Sequence, residues 1–284
     1  MLARQRQTLI LERIREDGGV RVADISRNLG VSDMTVRRDL EALHNLGLIE
    51  KVHGGATALP GGALFEPGFA AKSVLQQPEK EAIAEAAVAL VEPGTAIGIS
   101  AGTTTFALAR RLVDVPGLTV VTNSVPVADA LHRGGRTDQT IILTGGVRTP
   151  SNALVGPFAV STLRSIHVDL VFMGVHGMDP HSGFTTPNVL EADTNHALVE
   201  SGRRLIVVAD HTKWGVIGIS SIGRLGDADV VVTDSGLPAE PRELLRSEVR
   251  ELVVAEVDAR SRGADVEAEG FSRATTGAPA GWRS

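Results

Sequence analysis

The chain has 284 residues, comfortable for two domains; 43% are hydrophobic, enough for real cores, and none is cysteine, which excludes disulfides and thiolate metal sites. Its start, MLARQRQTLILERIRED, is charged every few positions, unlike a signal peptide, and no run approaches the ~18 apolar residues of a membrane span, so a cytoplasmic protein without membrane contact is expected. Net charge is −6, which disfavours nucleic acid, yet residues 1–57 hold nine Lys+Arg against eight Asp+Glu and are +1, leaving the remainder at −7.

Residues 4–17 read as a helix with Leu9, Ile10 and Ile14 on one face, ended by Gly18-Gly19. After a short extended entry at 20–22, Val22, Ile25 and Leu29 recur at helical spacing up to Gly30. Gly30 suits a helix C-terminus, and Ser32 suits the N-cap of the next helix. That helix carries Val36, Leu40, Leu43 and Leu46 and stops at Gly47. LIEKVHGGAT then makes a hairpin closed by Gly54-Gly55. Together these predict a winged helix-turn-helix of α+β class over 1–57, its helix-turn-helix about 20–39.

At ~100° per residue, burial of Val36, Leu40 and Leu43 turns Met34, Arg38, Glu41 and Asn45 directly outward, with Thr35 and Arg37 beside them. A recognition helix needs its first residues free to reach base edges, and Arg is the best bidentate partner of guanine. Ser32, Met34, Thr35, Arg37 and Arg38, with Lys51 and His53 of the wing, are therefore the expected contacts to double-stranded DNA. The bland alternative is a three-helix bundle with solvated arginines.

Residues 58–77, ALPGGALFEPGFAAKSVLQQ, read as a linker in which Phe65 and Phe69 are set to pack on a neighbouring domain. A helix starts at Pro78-Glu79 and runs through Leu90. From Thr95, strand, turn and helix repeat. Strands are predicted at 95–99, 118–122, 139–143, 168–173, 204–208 and 229–232, with a last one at 249–254. Helices are predicted at 103–112, 125–133, 157–164, 187–201 and 238–246. Short Val/Ile/Leu runs suit strands buried on both faces of a mainly parallel sheet, so 78–257 is expected to be an α/β layered domain. Residues 258–284, poor in aliphatics, read as a disordered tail.

In open α/β sheets ligands bind beyond the carboxyl ends of the strands. Those ends read SAGTTT (100–105), TNS (122–124), TGG (144–146), GVHG (174–177), ADHTK (209–213) and TDS (233–235). Small residues admit a ligand to the backbone, hydroxyls and amides suit a polyol, and Lys213 supplies a cation. N–H groups at the helix start after Ile99 suit an anion. A pocket for a small phosphorylated, sugar-like molecule is expected.

Turnover would need a base near the sugar carbons, for which Asp179, Glu191, Asp210 and His176 are candidates. Glu191 and Asp193 read as a solvated helix face, Asp210 as a cap of its own turn, and His176 as the most exposed functional candidate, able to bond a sugar hydroxyl. The histidines show no metal-ligand spacing, and neither Ser124 nor Thr103 has a partner base.

The stretch RQRQTLILERIREDGGVRVADISRNLGVSDMTVRRDLEALHNLGLIEKVHGGA resembles the DNA-binding signature of the DeoR family of bacterial transcription regulators, most specifically in VSDMTVRRDLEAL and VHGGA. EKEAIAEAA, SAGTTT, VTNS, TGG, DLVFMGVHGMD and DHTKWG resemble, in order, that family's sensor domain. The resemblance covers roughly residues 4–255. It implies a Rossmann-like C-terminal fold similar to ribose-5-phosphate isomerase and CoA-transferase proteins, needing no cofactor. It implies a repressor of a sugar or polyol catabolic operon, released from its operator by a phosphorylated intermediate. A palindromic or repeated operator implies a homo-oligomer, a dimer or tetramer. Carried over by residue, the phosphate would sit on Gly102, Thr103, Thr104 and Thr105, and Asn123, Ser124, Gly145, Gly146, Gly174 and Lys213 would line the pocket, with Ser100 and His176, at the same strand ends, completing the expected effector site. Many relatives carry Asp in place of Ser100 and a carboxylate in place of His176, and the loss of those acids speaks against turnover. Two competing readings stand beside this one: an active sugar-phosphate isomerase with an appended DNA-binding domain, and a C-terminal domain that only oligomerises.

Overall fold

Helical spacing in the first 50 residues becomes α1 (Ala3–Asp17), β1 (Gly19–Arg21), α2 (Val22–Leu29), α3 (Asp33–Asn45), β2 (Ile49–Val52) and β3 (Gly55–Ala58) in a computed structural model that describes residues 1–59 and 68–257. Phe65 and the stretch 258–284 lie outside the described residues. Ile10 and Ile14, Val22 and Ile25, and Val36, Leu40 and Leu43 meet in one buried core, so the apolar positions are those that pack.

The wing departs from a simple hairpin. β3 lies between β1 and β2 and runs antiparallel to both, so the extended entry after α1 is a third strand. Gly55 permits this, because a Cβ there would stand 2.0 Å from the Val20 carbonyl oxygen. The turn falls on His53 and Gly54, one residue before the expected closure. Inside the core, Arg6 and Asp39 form a buried bidentate pair that ties α1 to α3, with Arg6 Nη2 3.0 Å from Asp39 Oδ1.

The stretch 58–77 contains a helical turn, α4 (Phe69–Ser73). Phe69 does pack on a neighbour, its ring edge-on to Phe106 with centroids 5.5 Å apart. Then follow α5 (Gln77–Val88), β4 (Ala96–Ile99), α6 (Thr103–Leu112), β5 (Thr119–Thr122), α7 (Val125–Arg133) and β6 (Thr140–Leu143). After them come β7 (Val147–Arg148), β8 (Leu154–Val155), α8 (Pro157–Arg164), β9 (Val168–Gly174), β10 (Gly177–Asp179), β11 (Gly183–Thr186) and α9 (Val189–Glu200). The described chain ends with β12 (Gly202–Val208), β13 (Ser220–Gly223), β14 (Val230–Asp234), α10 (Ala239–Glu248) and β15 (Glu251–Ala255).

Seven strands form one sheet in the order β15-β14-β12-β9-β4-β5-β6, every neighbouring pair parallel. Successive residues point to opposite faces of a strand. Leu170 and Phe172, Ile206 and Val208, and Val230 and Val232 accordingly face a core under α5, α6 and α7. Val171 and Met173, Leu205 and Val207, and Val231 face a second core containing Leu163 of α8, Leu198 of α9 and Leu245 of α10. Burial on both faces explains why these strands read as continuous apolar runs.

The chain runs outward from β4 through β5 to β6, then returns to β9 on the other side of β4. The strand order therefore reverses between β4 and β9. β10, β11 and β13 make a small antiparallel sheet and β7 pairs with β8; neither was predicted, since their runs are only two to four residues long.

Candidate functional site

Two sets of residues stand out, one on each region. On α3, Arg37, Arg38 and Met34 are exposed, and neither arginine forms an ion pair with any described residue. Ser32 caps the helix, its Oγ accepting from the Thr35 N–H at 3.2 Å and lying 2.9 Å from Thr35 Oγ1. These two hydroxyls thus hold the helix start and each other. In the wing, Lys51 pairs with Glu41 of α3 and holds that carboxyl below the usual carboxylate range, while His53 stands exposed at the turn.

The second set gathers where the strand order reverses, the place where open α/β sheets form a ligand crevice. The loop after β4 lies against the end of β9, with the Gly174 N–H donating to Ser100 Oγ at 2.9 Å. Asn123 braces the same loop: its Oδ1 accepts from the Ala101 N–H at 2.9 Å, and its Nδ2 donates to the Leu154 carbonyl at 3.2 Å. Ser124 caps α7, accepting from the Val127 N–H at 3.3 Å. Ser100, Asn123 and Ser124 are buried and their polar atoms are spent on the frame.

What this frame presents is the start of α6. Gly102 is the N-cap, no side chain caps the helix, and Thr105 Oγ1 turns back to the Gly102 carbonyl at 3.0 Å. An α-helix leaves its first N–H groups without intrahelical partners, and they carry partial positive charge. Nearby on the same sheet edge, Gly146 adopts φ 124°, and a Cβ there would stand 2.6 Å from the Val155 carbonyl oxygen.

Lys72 and Lys213 act electrostatically on both His176, which follows the end of β9, and Lys80. Lys213 ends the 3-10 turn His211–Lys213, which Asp210 caps by accepting from the Thr212 N–H at 3.1 Å. His176 is half-buried rather than prominently exposed. Burial, then the charges of Lys213 and Lys72, push it down to about 4, so the ring is neutral near pH 7 and able both to donate and to accept. Lys80 is buried at the start of α5 and lowered to about 8, first by burial and then by Lys213 and Lys72, with Asp210 and Glu79 opposing. Lys72, Lys80, Lys213 and His176 therefore share one electrostatic field.

Two of these residues were missed. Lys72 lies in the stretch read as a linker, and Lys80 sits in EKEAIAEAA, where its charge read as an ordinary helix flank. A lysine at a helix N-terminus runs against the helix dipole, which was the available signal. One expectation is corrected: Glu191 is not on a solvated face. It is buried and accepts from Thr149 Oγ1 at 3.0 Å, Ser151 Oγ at 2.5 Å and Thr186 Oγ1 at 3.3 Å, tying α9 to the β7–β8 turn. Asp193 is exposed, as expected. Asp179 accepts from the His181 and Ser182 N–H groups, both at 2.9 Å.

A winged helix whose outward arginines have no ion-pair partner among the described residues, followed by a parallel α/β domain with an uncapped helix start at its switch point, is the plan of a DNA-binding regulator with its own sensor. Comparison with known proteins agrees in both halves. The DeoR-like helix-turn-helix domain family matches residues 6–60, and the DeoR C terminal sensor domain family matches residues 75–235. The HTH-type transcriptional regulator YgbI of Escherichia coli is 35% identical over 256 residues, covering 90% of this chain and 99% of that protein. The HTH-type transcriptional regulator GlpR of Haloferax volcanii is 36% identical, over 87% of this chain and 96% of that protein. The glycerol-3-phosphate regulon repressor of E. coli is 31% identical, over 85% and 94%. A solved ribose 5-phosphate isomerase A from Neisseria gonorrhoeae aligns over 52% of this chain and 56% of its own, at 16% identity and TM-score 0.36, a likeness too distant to speak to chemistry. The chain belongs to the DeoR family of transcriptional regulators. Among the described residues no helix is long and apolar enough to cross a membrane.

Proposed function

We propose that this chain represses an operon for sugar or polyol catabolism and that a phosphorylated sugar or polyol releases it from operator DNA. The carrying observation is the uncapped start of α6 at the switch point between β4 and β9, with the charges of Lys72 and Lys213 acting on both Lys80 and His176. In this reading the N–H groups of Thr103, Thr104 and Thr105 and the Lys213 ammonium hold the phosphate, while His176 bonds a hydroxyl. Gly145, Gly146 and Gly174 let the ligand approach the backbone. Ser100, Asn123 and Ser124 act as the frame rather than as direct contacts. On the DNA side Arg37 and Arg38 reach bases and phosphates, with Met34 and His53 beside them. One recognition helix per half-site of a two-fold operator requires at least a dimer. The name of the E. coli glycerol-3-phosphate regulon repressor fits this effector class.

Two of the isomerase alternative's candidate acids are occupied, and the third, Asp210, caps its own turn through Oδ1. Glu191 is held by three hydroxyls and Asp179 by two backbone N–H groups, which supports sensing without turnover. A thermal-shift screen against phosphorylated sugars and polyols tests the proposal. A ligand at 100 times its Kd should add ~2.7 kcal/mol of stability. The same compound should release DNA selected from a random duplex pool and emerge chemically unchanged. Turnover, or no stabilisation across a broad panel, would overturn the proposal.

A further inference from the structure

Exposed apolar side chains are not scattered over the sensor half. Among its described residues seven large ones are exposed, and six of them lie along one tract: Val147, Phe158, Val189, Leu190, Ile217 and Ile219. Contacts stitch the tract together. Ile217 and Ile219 flank Gly218, whose N–H donates to Thr185 Oγ1 at 2.9 Å. A Cβ on Gly218 would stand 2.4 Å from the Thr186 carbonyl carbon, so this loop lies flat on the strand end that leads to Val189 and Leu190. The Leu190 carbonyl accepts from Thr194 Oγ1 at 2.8 Å, and Thr194 Oγ1 accepts from the Gly156 N–H at 3.4 Å, two residues before Phe158. Val147 of β7 stands opposite Val155 of β8, next to Gly156.

Two features of the tract suit a cover other than water. Helix α9 opens on exposed Val189 and Leu190, at a terminus where acidic side chains are the favoured ones. Phe158, in the first turn of α8, is 77% exposed and stands on the rim of a groove lined also by Thr144, Gly145, Gly146 and Ser161. A knob beside a hollow on one face is what a self-complementary two-fold contact needs.

The geometry points to this tract as the interface between two copies of the chain. The six exposures amount to about 650 Å² per copy, above the ~300–600 Å² of the largest apolar patch on an ordinary monomer. Two copies pressed together here would bury about 1,300 Å², within the ~1,200–2,000 Å² of a stable interface. Segments 144–147, 155–158, 186–190 and 214–220 contain no charged residue, so like meets like without repulsion. An apolar, charge-depleted centre is also the composition of homodimer interfaces. The assignment rests on the at-least-dimeric repressor proposed above and does not depend on its effector.

Sedimentation equilibrium of the full chain, without DNA or ligand, tests the tract. Wild type should sediment at twice the chain mass or more. Phe158→Glu and Ile219→Glu should each weaken self-association by about a hundred-fold, as a charge placed in the centre of an interface does. Leu143→Glu is the control. Leu143 is the seventh exposed side chain, but it follows Ile142, which packs on the α8–α9 side, and so points to the other face of the sheet. It should associate like wild type. If a glutamate variant loses its helical circular dichroism, Phe158→Ser and Ile219→Ser carry the same comparison. Unaltered association in the Phe158 and Ile219 variants refutes this surface and leaves the dimeric repressor standing. Equal weakening by Leu143→Glu refutes the choice of face. A monomeric wild type refutes the pairing and the dimer together, leaving the tract to a partner of another kind, while the thermal-shift screen still decides the effector separately.

Discussion

Single side chains carry much of what the sensor region does, and His211 with Asp234 shows how. His211 Nδ1 lies 2.7 Å from Asp234 Oδ2, and Asp234, fully buried, also accepts from the His211 and Gly236 N–H groups at 2.7 and 2.8 Å. The Asp234 hydrogen bond raises His211 above its ordinary 6.5 against the pull of burial. Burial pushes Asp234 upward, but the bonds from His211 and the two N–H groups outweigh it and hold the carboxyl below its ordinary 3.8. The His211 contribution is complete below 6.5 and lost as pH rises through the raised folded value; the Asp234 contribution is complete above 3.8 and lost as pH falls through the lowered one. The pair is therefore strongest between those two ordinary values. Lys80, lowered to about 8 by burial, works the other way, since losing its proton relieves a buried charge. The measurement is accordingly the Tm difference between the wild type and His211→Gln across pH. That difference should be largest near about pH 5–6 and shrink toward alkaline pH. A difference independent of pH would show that the pair contributes no linked proton.

Elements were more legible than the contacts that join them. Helix α3 could be drawn in advance because one residue type per face decides burial: Val36, Leu40 and Leu43 inward, Arg37 and Arg38 outward. Arg38→Ala should weaken operator binding by ~1–3 kcal/mol if Arg38 reads a base. An unchanged gel-shift titration would remove Arg38 from the interface. Asp39, in the middle of the same helix, is different. It is buried and bound to Arg6 from α1, 33 residues away, so periodicity cannot announce it. Asp39→Ala leaves a buried arginine without its partner and should cost ~3–5 kcal/mol, read as an early, separate melting step of the winged helix. Coincident melting of variant and wild type would mean that water replaces the carboxylate. The parallel strands were legible for the reason α3 was, since burial on both faces writes unbroken Val/Ile/Leu runs. β10, β11 and β13 are too short to carry a period. Glu191 was misjudged because Thr149 and Ser151, 42 and 40 residues away, are partners that periodicity cannot announce, while Lys72 and Lys80 were missed because a charged residue quoted alone reads as solvated, even though Lys80 bonds the nearby carbonyls of Lys72 and Leu75.

For the whole molecule the decisive question is whether the two halves are separable in function and coupled in energy. Coupling requires an effector contact that the DNA-binding half does not share. In the proposed reading Lys213 supplies one: it lies on the sensor's 3-10 turn, forms no ion pair with any described residue and acts electrostatically on both His176 and Lys80. Lys213→Ala should bind selected operator DNA with wild-type affinity, since no winged-helix contact is lost. A ligand whose phosphate loses a charge-assisted hydrogen bond forfeits ~1.5–3 kcal/mol, so the ligand concentration that releases half the DNA should rise by roughly ten- to a hundred-fold. Both quantities come from one titration of ligand into a protein–DNA complex at fixed salt, which matters because phosphate contacts on DNA are themselves salt-dependent. Weakened DNA binding in the absence of ligand would place Lys213 in the structural joint instead. Release at the wild-type ligand concentration would move the phosphate out of this crevice altogether. Release only at raised ligand concentration, with DNA affinity intact, is the outcome that separates sensing from binding in this chain.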